Sequence, residues 1–273
     1  MTYQKIYLKE NDPDVYLEVF VADRVWAGDT RKALLVIPGG GYGVVCSDRE
    51  GESIAMAFMP HGFNTFVLHY TVGRRDKYPA QLREVALAIK HIKDHAEEYR
   101  IDPTRVFGVG FSAGGHLVAS AGVFWHRPEV TEGLDMPKGY NRLTGIMPIY
   151  PVINNDGHNE SVKNLLCNDN PTEAEMDYVA VDKHVDETSA PAFIMHTADD
   201  GVVDARNSLT FAMAYANAGL SYELHIFPHA PHGVALGNEI TALGNPEWID
   251  PMIERWVEMA AYWADRVPPL TEG

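Results

Sequence analysis

An α/β fold is predicted, with a mostly parallel central sheet and helices on both faces. Three observations lead there. Short apolar runs alternate with longer stretches of helical spacing, the pattern of repeated strand–helix–strand units. Two runs, residues 33–38 and 105–110, are apolar almost throughout, as a strand buried on both faces must be. The chain has 273 residues, 46% of them hydrophobic, enough to fill one large core. A single domain over residues 1–273 is therefore expected.

The elements follow in order. Residues 14–22 are rich in β-formers and are expected to make an edge strand. Residues 33–38 form a buried strand that runs straight into Gly39, Gly40 and Gly41, followed by Tyr42 and Gly43. Bare glycine backbone at a sheet edge can present N–H groups to an anion, although a plain flexible loop has the same composition. Residues 64–70 form the next strand. Leu82, Val85, Ala86, Ile89, Ile92 and Ala96 recur at helical spacing across 79–100. Asp102-Pro103 is expected to break the chain before a central strand at 105–110. A helix continues through Leu117, Val118 and Ala119.

Beyond it, residues 125–141 are irregular and rich in Pro, Gly and charge. Residues 143–152 read as a strand. Residues 153–188 are polar and acidic, with two short helical patterns, one starting near Asn170. Both 125–141 and 153–188 are expected to serve as cap segments over a site. Strands at 191–196 and 222–227 flank an amphipathic helix at 204–219. A last helix, 251–267, carries Trp256 and Trp263, which belong either to the core or to the face of a homodimer.

Charge limits the partners. Against 22 Lys and Arg stand 38 Asp and Glu, a net charge of −16. Nucleic acid and anionic membrane are expected to be repelled. No run approaches the roughly 20 apolar residues of a membrane span. The first ten residues are polar, without the apolar stretch of a signal peptide, so a cytoplasmic protein is expected. Cys46 and Cys167 lack zinc or C-x-x-C spacing and are expected to be reduced.

The chemistry centres on Gly110-Phe111-Ser112-Ala113-Gly114, which fits G-x-S-x-G between the central strand and its helix. A serine on so tight a turn needs small neighbours two residues away, so that strand and helix can approach. The turn exposes the Ser112 hydroxyl at the end of the sheet and sets the Ala113 N–H at the helix start, where it can meet an oxyanion. The overlapping Gly108-x-Gly110-x-x-Ala113 resembles a dinucleotide fingerprint. It sits mid-chain, and the strands after it supply no clean acidic ribose contact, so it is set aside.

A serine hydroxyl needs a base, and the base an orienting acid. Two later strand ends supply them. His196 is followed by Thr197-Ala198-Asp199-Asp200, and Phe227 by Pro228-His229-Ala230-Pro231-His232-Gly233. Either aspartate and either histidine could serve on these grounds. His229-x-x-His232 could also suggest a metal pair, but it lacks a third ligand. The order is serine, aspartate, histidine.

These stretches, with Pro-Gly-Gly-Gly-Tyr at 38–42, resemble the α/β-hydrolase fold, and within it small carboxylesterases and acetyl-xylan-esterase-like proteins of the hormone-sensitive-lipase type. The likeness spans about residues 33–263. It implies Ser112 as nucleophile, His232 as base, Asp200 as acid, and Gly40 or Gly41 with Ala113 as the oxyanion hole. Asp200 is preferred over Asp199 because the family's acid lies four residues after the strand-end histidine. Pro38 stands where the family's oxyanion motif usually begins with histidine, as in its sugar-esterase branch. Tyr42 is expected to line the acyl pocket, His229 to be a loop residue and His116 a structural one. The implied activity is hydrolysis of short acyl esters on small molecules, acetyl groups on sugars or xylo-oligosaccharides above all, without a cofactor. An amidase or peptidase with the same triad, and a non-catalytic binding protein on the same fold, are the alternatives.

Overall fold

The computed structural model describes residues 1–154 and 159–271. Among them, eight strands form one sheet: β1 (Thr2–Tyr7), β2 (Tyr16–Val21), β3 (Arg31–Ile37), β4 (Phe63–His69), β5 (Ile101–Phe111), β6 (Gly145–Ile149), β7 (Ala192–Thr197) and β8 (Tyr222–Phe227). The order across the sheet is β1-β2-β4-β3-β5-β6-β7-β8. β1 with β2 and β2 with β4 are antiparallel, and every other pairing is parallel.

The strand expected at the edge is not there. β2 is second in the sheet, and the edge belongs to β1, whose Thr2–Tyr7 pair residue for residue with Val21–Tyr16. Only Gln4 and Ile6 of β1 are partly covered, so its apolar signal is weak. The exposed Lys5 suits an edge that must not pair with another chain. Asp102-Pro103 does not end a strand either. Arg31 stands opposite Ile101 and Ala33 opposite Val106, so residues 102–105 form a bulge inside β5. Proline can sit there because the bulge asks no N–H of it.

The helices are α1 (Ser47–Glu50), α2 (Glu52–Phe58), α3 (Ala80–Asp94), α4 (Ala96–Tyr99), α5 (Ala113–Val123), α6 (Pro128–Thr131), α7 (Asn159–Leu166), α8 (Glu173–Val179), α9 (Arg206–Ala218) and α10 (Trp256–Arg266). The helix expected over 79–100 is split at His95 into α3 and α4. One face of the sheet is covered by α3, α5 and α9, through Leu82, Val85, Leu117, Val118, Phe211 and Tyr215. The other is covered by α2 and α10, through Ile54, Phe58, Trp256, Val257 and Trp263. Trp256 is 0% and Trp263 4% exposed. Both rings are core and offer no surface to a partner.

The two expected cap segments part company. α5 runs back along β5, so its 11 residues carry the chain roughly 16 Å from Ser112 toward the amino end of the sheet. There Lys93 Nζ donates to the carbonyls of Tyr140 (2.8 Å) and Arg142 (2.9 Å). Pro137–Tyr140 share a surface cleft with Pro103 and Thr104. Leu270 N donates to Thr104 O (2.9 Å) at the same end. This part of 125–141 stands at the wrong pole to cover the serine. Residues 159–181 lie at the other pole: Asn164 Nδ2 donates to Gly41 O (3.0 Å), and Tyr78 N to Leu165 O (3.0 Å).

The β5–α5 turn is as tight as the motif demands. A Cβ at Gly110 would stand 2.1 Å from Gly114 O, and one at Gly114 would stand 2.1 Å from Ile37 O. Both obstacles are backbone. Gly114→Ala is expected to lower stability by about 1–3 kcal/mol, read as a fall in the urea midpoint at unchanged slope.

Candidate active site

Ser112 lies between β5 and α5 with φ 54° and ψ −116°. A side-chain-bearing residue holds such angles only when its surroundings over-determine them. Here they do. Ser112 N donates to Ile149 O (3.0 Å), and Ser112 O accepts from Val152 N (3.1 Å) and His116 N (3.0 Å).

The structure brings the two later loops to this turn. Ser112 Oγ is 2.8 Å from His232 Nε2, and His232 Nδ1 is 2.7 Å from Asp200 Oδ2. The Asp200 side chain is fully buried and that of His232 is 15% exposed. Asp200 Oδ1 accepts from Val202 N and Val203 N, both at 2.9 Å. His196 Nε2 stands 3.4 Å from Asp200 Oδ2 and 2.9 Å from Val203 O. Burial alone would raise the Asp200 carboxyl. Hydrogen bonds from His196 and His232, the His232 charge and the Val203 N–H outweigh burial and hold it well below the usual carboxylate range. An anionic Asp200 fixes the tautomer of its neighbour. Nδ1 of His232 must donate to the carboxylate, which leaves Nε2 to accept the Ser112 hydroxyl proton.

Asp199 points elsewhere. Its Oδ2 meets His229 Nδ1 (2.9 Å) and its Oδ1 accepts from Ala230 N (3.0 Å), both at the surface. His229, 82% exposed, is a loop residue. The aspartates are chain neighbours, yet only Asp200 faces the buried imidazole. Among the described residues, no group of three or more His, Cys, Asp or Glu gathers for a metal ion. Gly108 is explained by packing, since a Cβ there would lie 2.6 Å from Val118 Cγ2.

The glycine loop after β3 is a set of turns. Gly43 N and Val44 N both donate to Gly40 O, and Cys46 N donates to Gly39 O. Gly40 and Gly41 have φ 120° and 63°. The Gly39 N–H is committed to Glu50 Oε2 (2.8 Å). Among the described residues, no acceptor faces the N–H groups of Gly40 and Gly41. Ala113 is the first residue of α5, so its N–H has no partner in the helix.

Tyr42 departs from expectation. Its side chain is only 2% exposed. Its O–H donates to His116 Nδ1 (2.8 Å), while His116 Nε2 donates to Val179 O (2.8 Å). Tyr42 thus ties the glycine loop to α5 and to the segment above, and His116 is structural as expected. Sequence reasoning missed Glu50 and Tyr150, which are buried and hydrogen-bonded to each other across 100 positions (2.9 Å). Nothing local in the chain signals that pairing.

The sheet order, the strained serine between strand and helix, and the loops after β7 and β8 that converge on it define an α/β-hydrolase. The matches with known proteins narrow this. Residues 25–215 match BD-FAE, and the chain belongs to that family. Endo-1,4-beta-xylanase B of Butyrivibrio fibrisolvens is 35% identical over 219 residues, which cover 77% of this chain and 33% of the relative. This chain therefore spans about a third of that relative's length. The acetyl ester-xyloside bifunctional hydrolase of Caldicellulosiruptor lactoaceticus has a crystal structure 30% identical, with a TM-score of 0.80 over 96% of this chain and 95% of that one. The carboxylesterase Cest-2923 of Lactobacillus plantarum WCFS1 is 26% identical, with a TM-score of 0.85 over the whole of both chains.

His116 makes stability depend on pH. Burial pushes its imidazole down to about 4, and the Val179 carbonyl and the more distant Asp182 only partly offset this. An unfolded chain would protonate it near 6.5. Below that pH the unfolded state takes up a proton that the folded state refuses. The stability at stake is full above about 6.5 and falls by about 3 kcal/mol as pH drops toward 4. Thermal melts between pH 7 and 4 are expected to show a steep fall for the wild type and a flatter one for His116→Asn.

Proposed function

We propose that the protein is a serine carboxylesterase that removes short acyl groups, acetyl above all, from sugars or xylo-oligosaccharides. The observation that carries this reading is the unbroken line of hydrogen bonds from Ser112 Oγ through His232 to Asp200. His232 takes the hydroxyl proton as Ser112 attacks the ester carbonyl. The N–H groups of Ala113 and of Gly40 or Gly41 receive the negative charge that develops on the carbonyl oxygen. The imidazolium then protonates the leaving alcohol, and water, activated by the same imidazole, releases the acid from the acyl-enzyme. Asp200 holds the tautomer this sequence requires.

Two things support the substrate class. A similar structure is that of an acetyl ester-xyloside hydrolase, and a relative is named as a xylanase. Segment 153–188 is proposed as the cap that shapes the acyl pocket, on the strength of the Asn164–Gly41 hydrogen bond. A cytoplasmic location is proposed from the two unpaired cysteines; cell fractionation tests it. No helix among the described residues is long and apolar enough to cross a membrane.

The test is hydrolysis of p-nitrophenyl acetate, butyrate and octanoate beside acetylated xylo-oligosaccharides, with an acetyl anilide as the amide control. Acetyl esters are expected to be turned over best. Ser112→Ala should lose activity by about 10³-fold or more and resist labelling by a fluorophosphonate. Asp200→Asn is expected to lower kcat by roughly 10³–10⁴-fold, whereas Asp199→Asn should stay near wild type. Wild-type protein that neither labels nor turns over any ester refutes the proposal.

A further inference from the structure

Glu50 is a buried charge that the mechanism above does not use. It ends the four-residue α1 and is 2% exposed. Its Oε2 accepts from Gly39 N (2.8 Å), and its Oε1 accepts from the Tyr150 hydroxyl (2.9 Å). Tyr150 in turn accepts from Ala235 N (3.2 Å), and its ring packs edge-on against the His232 ring with centroids 5.1 Å apart. One carboxylate therefore ties together the glycine loop after β3, the chain after β6 and the loop that carries His232.

We propose that Glu50, acting through Tyr150, is a positioning residue: it locks the oxyanion loop to the histidine loop and adds a second negative charge beside the imidazolium that forms on His232. This rests on the esterase reading and deepens it.

The hydrogen bonds favour the ionised form. Both carboxylate oxygens then accept, Oε2 from Gly39 N and Oε1 from the Tyr150 hydroxyl. A proton on Oε1 would turn that bond round and, with Ala235 N also donating to the Tyr150 oxygen, leave the phenolic hydrogen with no acceptor among the described residues. Burial holds the Glu50 carboxyl above its usual range, and the Gly39 N–H, the Tyr150 O–H, Arg49 and His232 offset this only in part. The charges around this point are few. His232 faces Asp200 and Ser112 on one side, and Tyr150 with Glu50 behind it on another. The Arg49 guanidinium lies over the Trp248 ring and against Gly233, 3.1 Å from where a Cβ would be. Tyr70, whose hydroxyl donates to Pro38 O, and Cys46 complete the surroundings of Glu50. Arg49 offsets part of the Glu50 field, but the carboxylate hydrogen-bonds the glycine loop directly and reaches the histidine loop through Tyr150. A glutamine offers one acceptor oxygen where two are needed and carries no charge.

The experiment measures kcat and KM for p-nitrophenyl acetate against pH in wild type, Ser112→Ala, Glu50→Gln and Tyr150→Phe. For Glu50→Gln, kcat is expected to fall about 10–100-fold with KM nearly unchanged. The acid limb of kcat/KM should also move to lower pH by about half a unit or more, because a lost anion no longer favours the protonated imidazole. Tyr150→Phe fills the same space and keeps the anion. It should lower kcat about tenfold and leave the acid limb in place. A Glu50→Gln enzyme with an unmoved acid limb overturns the proposal, whatever its kcat. Should Glu50→Gln fail to fold, Tyr150→Phe decides, and wild-type kcat in that variant overturns it. Wild type as inactive as Ser112→Ala overturns the esterase reading itself. Active wild type with unaffected variants overturns this inference alone.

Discussion

The backbone of Ser112 is the constraint from which the rest of the site follows. Its φ of 54° is tolerable only because strand and helix meet at backbone contact distance around it. Strain of this kind costs of order 1–3 kcal/mol and persists because several hydrogen bonds fix the same peptide groups. Those bonds come from β6, from the chain just after it and from the first turn of α5. The hydroxyl is thus aimed by main chain rather than by its own rotamer, and it stands at the carboxyl end of the sheet, where the loops after β3, β7 and β8 also open.

Around that fixed point the electrostatics divide cleanly. Asp200 is buried, ionised and satisfied at both oxygens, so it does not compete for the proton that His232 is proposed to accept. Asp199, one residue earlier, is exposed and spends its hydrogen bonds on its own loop. His116 and His196 are buried imidazoles with carbonyl and hydroxyl partners, and they serve as struts. The glycine loop is held by Tyr42 from one side and Glu50 from the other. Among the described residues, what remains unpartnered is the short row of N–H groups that an oxyanion would need.

Much of this was legible in the chain. The two-sided burial of β3 and β5 shows as unbroken apolar runs, and the close approach at the elbow shows as Gly110 and Gly114. The serine, aspartate, histidine order places three loops at one end of any parallel sheet. The failures have physical causes. β1 is solvated on most positions, so its only signature is the partner it finds in β2. Tyr42 follows a glycine loop, and nothing in its neighbours tells whether the ring turns into a cleft or into the core. Residues 125–141 resemble 153–188 in composition, but the direction of α5 sends their later part, Pro137–Tyr140, to the opposite pole. Glu50 is a charged residue in a polar stretch, and only the fold reveals that it is dry and bonded to Tyr150.

The hydrogen bond between Leu270 and Thr104 has a practical meaning. It anchors the last described turn of chain at the start of β5, about eight residues and roughly 25 Å of extended strand from the serine. A dye, a resin or a passenger module joined beyond that point would hang from the underside of the molecule. Immobilisation through a linker attached after Leu270 should therefore leave the mouth open to solution.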